Sequence, residues 1–190
     1  MGINPNSEFK PLNLAILTVS DTRGPEQDTS GQYLEDSVLE AGHRLIARRI
    51  LPDDVYLIRA ILSQWIAEPD VHGVIITGGT GFMERDSTPE AVTPLLDKAI
   101  EGFGEAFRRI SAEEIQSSTI QSRAFGGMAN NTVIFCLPGS TGACRTGWQG
   151  LLKDQLDSRH APCNFSGLCL RKPEKPVHRL NETIGQRALR

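Results

Sequence analysis

Hydrophobic positions follow two rhythms along this chain. Residues 12–19 (LNLAILTV), 71–77 (VHGVIIT) and 132–137 (TVIFCL) are almost continuously apolar, the pattern of strands covered on both faces of a parallel sheet. Residues 43–50 form a further strand candidate. Between these runs the apolar positions move to helical spacing: Val55, Ile58, Ile61, Leu62, Trp65 and Ile66 recur three and four residues apart, which places Trp65 in the core. Residues 32–41 read as a helix closed by Gly42, a residue suited to the left-handed turn past a helix end, with Asp28 or Ser30 capping its start. Another helix begins near Thr141. Strand, helix, strand, helix, strand predicts an α/β fold, a doubly wound and mostly parallel sheet with helices on both faces. Residues 89–115 look mostly helical, with Ser87 or Thr88 as cap and Phe103, Phe107 and Ile110 on one face, although Gly102 and Gly104 weaken the start. Residues 122–131 (SRAFGGMANN) look less regular.

The length of 190 residues suits about one domain, and 39% hydrophobic with 23% charged residues is an ordinary globular composition. The predicted division is an N-terminal extension (1–11), one domain (12–170) and a basic, flexible tail (171–190). The tail holds six of the 20 Lys+Arg and two of the 23 Asp+Glu, or +4, so the first 170 residues carry 14 against 21, or −7. An acidic body offers no second patch to continue a nucleic-acid site from that tail, so no nucleic-acid partner is expected. No apolar run approaches the ~20 residues that span a bilayer, and MGINPNSEFKP has no cationic segment leading into an apolar one. A cytoplasmic protein without a membrane partner is therefore expected. Cys136, Cys144, Cys163 and Cys169 lack CxxC spacing and read as free thiols, and His43, His72, His160 and His178 are scattered without metal-ligand spacing.

In open α/β sheets ligands bind beyond the carboxyl ends of strands, which directs attention to the loops after Val19, Thr77 and Leu137. The second of these, TGGTGFMERDSTPEA, contains Gly78, Gly79, Thr80 and Gly81, where backbone amides can approach an anion without Cβ obstruction. It is neither stock phosphate motif, because Glu84 stands where the dinucleotide fingerprint needs glycine and no Gly-Lys-Ser/Thr follows. Gly139 and Ser140 open the helix after the third loop and form a second anion site with Thr141. PGSTG is near a nucleophile elbow, but Pro138 replaces its first glycine and no His is paired with Ser140. Asp86 follows the glycine cradle directly, and a carboxylate beside phosphates is repelled unless a cation intervenes. Mg²⁺ held by Asp86 resolves that conflict, while a helix cap for the segment entered at Pro89 is the plainer reading. Asp53, in ILPDD, has the same two readings. Arg85, Arg123 and Arg145 are candidate anion contacts or ordinary surface charges.

Taken together, TVSDTRGPEQDTSG, ILPDD, TGGTGFMERDSTPEA, GFGEAFR, QSRAFGGMANNTVIFCLPGS and APCNF resemble the MogA and MoaB family of molybdenum cofactor biosynthesis proteins, over about residues 12–165. SSTIQSR, STGACRTGW and RHAPCNF resemble its MoaB branch. The resemblance implies a three-layer α/β/α molybdopterin-binding fold, a homotrimer or a hexamer of two trimers, and a downstream molybdate-insertion protein as partner. It also implies a reaction in which molybdopterin and MgATP give adenylylated molybdopterin and pyrophosphate. By position, Asp86 and Asp53 become the catalytic acidic pair, with Asp86 on the metal. Gly78, Gly79, Thr80 and Gly81 become the nucleotide or pterin cradle, and Ser20, Asp21, Gly139 and Ser140 the pocket lining. Some MoaB members lack the Arg-Asp pair that this chain retains as Arg85 and Asp86, which favours an adenylyltransferase over a noncatalytic molybdopterin carrier. Many relatives have Lys where this chain has Gly142, a phosphate contact for which Arg145 is the candidate replacement.

Overall fold

The computed structural model of the protein describes residues 2–171, so the expectations for the tail beyond Arg171 lie outside the described residues. Strands β1 (Asn13–Val19), β2 (Arg44–Leu51), β3 (Gly73–Thr77), β4 (Lys98–Ala99), β5 (Phe125–Ala129) and β6 (Thr132–Leu137) form one sheet in the order β2-β1-β3-β6-β5-β4. The β2, β1, β3 and β6 pairings are parallel, and β5 and β4 add an antiparallel edge. Every residue of β3 and β6 is buried, which accounts for their nearly continuous apolar text; the residues of β2 at the sheet edge are exposed or half-buried.

The two-residue period of β1 decides the layering. Leu14 and Ile16 point to one face, where they join Leu34, Phe107 and Trp148 in one core. Ala15, Leu17 and Val19 point to the other, with Ile58, Leu62 and Trp65. The first core is closed by α1 (Thr29–Glu40), α4 (Glu101–Ile115) and α5 (Thr141–Gly147), and the second by α2 (Val55–Ala67) and α3 (Thr88–Val92). Each Leu or Ile fully buried in these layers contributes about 1.5–3 kcal/mol. Asp28 is the cap that starts α1, accepting from the Gly31 amide at 2.8 Å, and Gly42 beyond its end has φ +85°. The chain leaves β1 through α1 toward β2 on one side, then returns through α2 to β3 on the other. That reversal between β1 and β3 opens a crevice at their carboxyl ends.

Two segments differ from expectation. The stretch at 89–115 is not one helical region: α3 is short, and β4 intervenes before α4. The less regular stretch at 122–131 contains β5, joined to β6 by Asn130 and Asn131 at φ +45° and +63°. Two successive positive φ values make the tight hairpin turn that matches strand twist, and asparagine tolerates them. Gly126 and Gly127 hid the strand by interrupting its apolar pattern, yet packing requires them. A Cβ on Gly126 would lie 3.0 Å from Phe135 Cδ1, and one on Gly127 would enter the Leu96 side chain.

Candidate functional site

The ends of β1, β3 and β6 open into a cavity of about 550 Å³, walled by their three loops on one side and by α4 and α5 on the other. The loops touch. Gly78 at φ +105° donates its amide to Leu137 O at 3.0 Å, and a Cβ on Gly139 would stand 3.2 Å from Gly78 Cα. Gly79 continues the turn at φ +63°, and Thr88 Oγ1 holds Gly78 O at 2.9 Å. The amides of Gly79, Thr80 and Gly81, and those of Gly139 and Ser140, donate to no acceptor among the described residues, so both glycine segments present free N–H groups at the cavity. Ser140 Oγ itself accepts from the Ala143 amide at 3.1 Å, capping α5.

Neither Asp53 nor Asp86 is a helix cap. Asp54 caps α2, accepting from the Tyr56 and Leu57 amides at 2.8 and 2.9 Å. Asp53 instead reaches across to the glycine loop, where its Oδ1 accepts from the Ser87 amide at 3.0 Å and Ser87 Oγ at 2.5 Å. A Cβ on Gly79 would lie 2.5 Å from Asp53 Oδ2. Asp86 folds back to accept from the Met83 amide at 2.8 Å, and a Cβ on Gly81 would lie 2.6 Å from its Oδ2. Burial pushes the Asp53 carboxyl above its ordinary value; the Ser87 hydrogen bonds oppose that, and the charges of Asp86 and Asp21 add to it. Asp53 thus feels two neighbouring carboxylates from its place behind the glycine loop.

Ser20 lies on the cavity wall, with its Oγ accepting from the Arg23 amide at 3.2 Å. Asp21 stands beside the cavity, not on its wall, because its Oδ1 accepts from the Asp53 amide at 3.1 Å and pairs with Arg85 at 2.9 Å. Asp53 likewise sits behind the glycine loop. Arg123 is a clamp: its guanidinium donates to Gly81 O and Asp86 O, both at 2.7 Å, pairs with Glu90, and lies 5.3 Å from the Phe82 ring centre. Arg145 leans over Tyr33 at 5.5 Å and is not part of the wall.

The cation on the wall is Arg23, which sequence reasoning passed over. It donates to Gly139 O at 2.6 Å and Ser30 Oγ at 3.0 Å, tying the β1 loop to the β6 loop. Asp28 supports the same junction from below. Its buried carboxylate pairs with Arg48 at 2.9 Å and accepts from Thr18 Oγ1 at 2.8 Å. Burial raises the Asp28 pKa, but the Arg48, Gly31 and Thr18 hydrogen bonds and the Arg48 charge outweigh it and hold the carboxyl below its ordinary value. The α4 wall, with Phe107, Ser111 and Glu114, was also missed, though its helical spacing is visible in the text.

The donor set can be tested for a divalent cation. Among the described residues no group of three or more His, Cys, Asp or Glu could hold a metal by itself. Asp53 Oδ2 and Asp86 Oδ1 nevertheless accept no hydrogen bond there, and hard oxygens of this kind suit Mg²⁺, which takes one or two carboxylates and completes its shell with phosphate and water. The residues fit an ion shared with a phosphorylated ligand.

An open α/β sheet with a cavity beyond the carboxyl ends of its parallel strands places the chain in the class of doubly wound α/β folds, and residues 15–158 match the family described as "Probable molybdopterin binding domain". The chain belongs to the MoaB/MogA family of molybdenum cofactor biosynthesis proteins, within its MoaB branch. It is 56% identical over 160 residues to molybdenum cofactor biosynthesis protein B of Escherichia coli (strain K12), an alignment covering 84% of this chain and 94% of that protein. A crystal structure of molybdenum cofactor biosynthesis protein B superposes with a TM-score of 0.75 at 44% identity, covering 77% of this chain and 92% of the other. A tungsten cofactor synthesizing protein MoaB from Pyrococcus furiosus gives 0.68 at 34%, covering 74% and 89%. The α/β sheet expected from the hydrophobic pattern is thus the fold of this family. No helix of the described residues is long and apolar enough to cross a membrane.

Proposed function

We propose that the chain binds molybdopterin and adenylylates it with MgATP, releasing pyrophosphate. The observation that carries this reading is the joining of two free-amide cradles, Gly79 to Gly81 and Gly139 to Ser140, in one cavity with Asp86 at its edge and Asp53 behind it. Both substrates carry phosphate, and two cradles suit two phosphate groups. In the reaction, an oxygen of the pterin's terminal phosphate attacks the α-phosphorus of ATP. The new P–O bond forms as the bond from the α-phosphorus to the bridging oxygen breaks, and its electron pair leaves with pyrophosphate.

Bound Mg²⁺ supplies neutralisation of the charge on the phosphates, and Asp86 and Asp53 are the residues that would hold it. The chain's own groups do the positioning. Amides of the glycine loops fix phosphate oxygens without needing to reorganise. Arg23 stiffens the junction of the two loops, and Arg123 fixes Gly81 and Asp86 relative to each other. Self-association as a homotrimer or a hexamer of two trimers belongs to the same proposal, supported by family membership.

Incubating the purified protein with molybdopterin and MgATP and assaying adenylylated molybdopterin and pyrophosphate tests this reading. Formation of both is expected. Binding of molybdopterin without turnover would instead make the protein a carrier.

A further inference from the structure

α4 turns Phe107, Ser111 and Glu114 toward the cavity at the four- and three-residue spacing of a single helix face. Ser111 is only 5% exposed, and its Oγ has no hydrogen-bond partner among the described residues. A buried hydroxyl with nothing to bond is costly unless a ligand supplies the partner. One turn on, Glu114 is held in place from α5, since Thr146 Oγ1 lies 3.2 and 3.1 Å from its two carboxylate oxygens. Among the described residues no Lys, Arg or His pairs with Glu114.

An uncompensated carboxylate repels phosphate, so this wall faces the uncharged end of any phosphorylated ligand while the glycine cradles face the other end. Ionised, it can only accept hydrogen bonds, and its two oxygens match two adjacent N–H donors. The Ser111 hydroxyl beside it can donate to a carbonyl. Adjacent N–H, NH₂ and C=O groups are the edge of a 2-amino-4-oxopyrimidine. Adenine offers instead an acceptor nitrogen next to its amino group, which would put a lone pair against the carboxylate. We infer that Glu114 is a specificity-determining residue that recognises the aminopyrimidinone edge of the pterin, with Ser111 bonding its 4-oxo group. The inference rests on the molybdopterin reading and adds the orientation: heterocycle against α4, phosphate at the glycine loops.

The test is a fluorescence titration with 6-methylpterin and 6-methyllumazine, which differ in carrying a 2-amino or a 2-oxo group. Wild type should prefer the pterin by about tenfold or more, the scale of one charge-assisted hydrogen bond. Glu114→Gln should abolish that preference, and its exposed position means that it should melt with the wild type. Ser111→Ala should weaken both heterocycles by a similar factor and leave the preference intact. Equal binding of the two by wild type, or a preference that survives in Glu114→Gln, overturns the role of Glu114 while leaving molybdopterin binding standing. If wild type binds neither, the molybdopterin reading fails and this inference with it.

Discussion

Replacing Asp86 with Asn separates the chemistry of this position from its architecture. The carboxylate accepts one loop hydrogen bond, from the Met83 amide at 2.8 Å, and α3, entered through Ser87, has no side-chain cap bond. Asn retains an acceptor oxygen for Met83, so the loop keeps its closing contact and only a half-buried charge is lost. The expected cost in stability is below about 1 kcal/mol, the worth of one ordinary hydrogen bond. That amounts to a shift of at most ~2–4 °C in Tm for a domain of this size. The effect on turnover should be far larger. Loss of one preorganised electrostatic contact costs ~10²–10³-fold in kcat, about 2.7–4 kcal/mol of the barrier. A further consequence follows at Asp53, whose raised pKa has the Asp86 charge among its causes, so Asp53 should titrate lower in the variant. The assay is MgATP-dependent pyrophosphate release with molybdopterin, run beside thermal melting and pterin binding. Undiminished turnover in Asp86→Asn refutes the catalytic assignment, and a loss of turnover matched by a loss of folding refutes the claim that the residue is architecturally dispensable.

Asp53 has a folded pKa above its ordinary value, so between the two values the folded chain binds more protons than the unfolded one and ionisation at higher pH destabilises. Asp53→Asn, which keeps an acceptor for Ser87, should therefore melt no lower than wild type at pH 7, with any gain vanishing as pH falls through the raised pKa; a lower Tm at pH 7 would contradict this. Gly79→Ala places a Cβ 2.5 Å from Asp53 Oδ2 at φ +63° and should cost about 2–5 kcal/mol from left-handed backbone and overpacking, whereas Gly142→Ala meets nothing within 4 Å and should be neutral or stabilising by up to ~1 kcal/mol, both read by urea unfolding. Asp28→Ala removes a helix cap and the buried partner of Arg48, whose remaining partner Glu35 limits the damage, so a loss of about 3–5 kcal/mol is expected. Because the Asp28 pKa is lowered, its contribution is present above the ordinary carboxylate value and disappears in acid as the pH falls through the folded value. Light scattering at micromolar concentration should report a trimer or hexamer, and a particle of monomer mass would refute the assembly.

The local text of the chain determined a good deal of this. Strands β1, β3 and β6 are buried almost throughout, so their text is nearly all apolar apart from the buried Thr18, Thr77 and Thr132 and the half-buried Asn13, and their apolar runs matched their observed bounds closely. Helix α2 declared itself by spacing, and Gly42 marked the end of α1; of the two caps the text offered, Asp28 and Ser30, the structure uses Asp28, so α1 starts at Thr29, three residues before the expected 32. The glycine loops were legible as places of close backbone approach, because a Cβ on Gly78 or Gly79 would meet neighbouring atoms. Tertiary structure decided what periodicity does not encode. β5 was concealed by Gly126 and Gly127, whose absence of side chains lets Phe135 and Leu96 pack but erases the alternation that marks a strand; the Asn130 and Asn131 pair was the available signal. Asp53 and Asp54 are neighbours with nearly equivalent text, and only the meeting of the α2 entry with the glycine loop makes one a cap and the other a partner of Ser87. The same holds for the arginines. Arg23, Arg85, Arg123 and Arg145 carry identical chemistry, and their separate roles follow from which carbonyl, carboxylate or ring the fold brings within reach. Spacing specifies which residues share a face of one element, while contacts between elements distant in sequence depend on how the layers close.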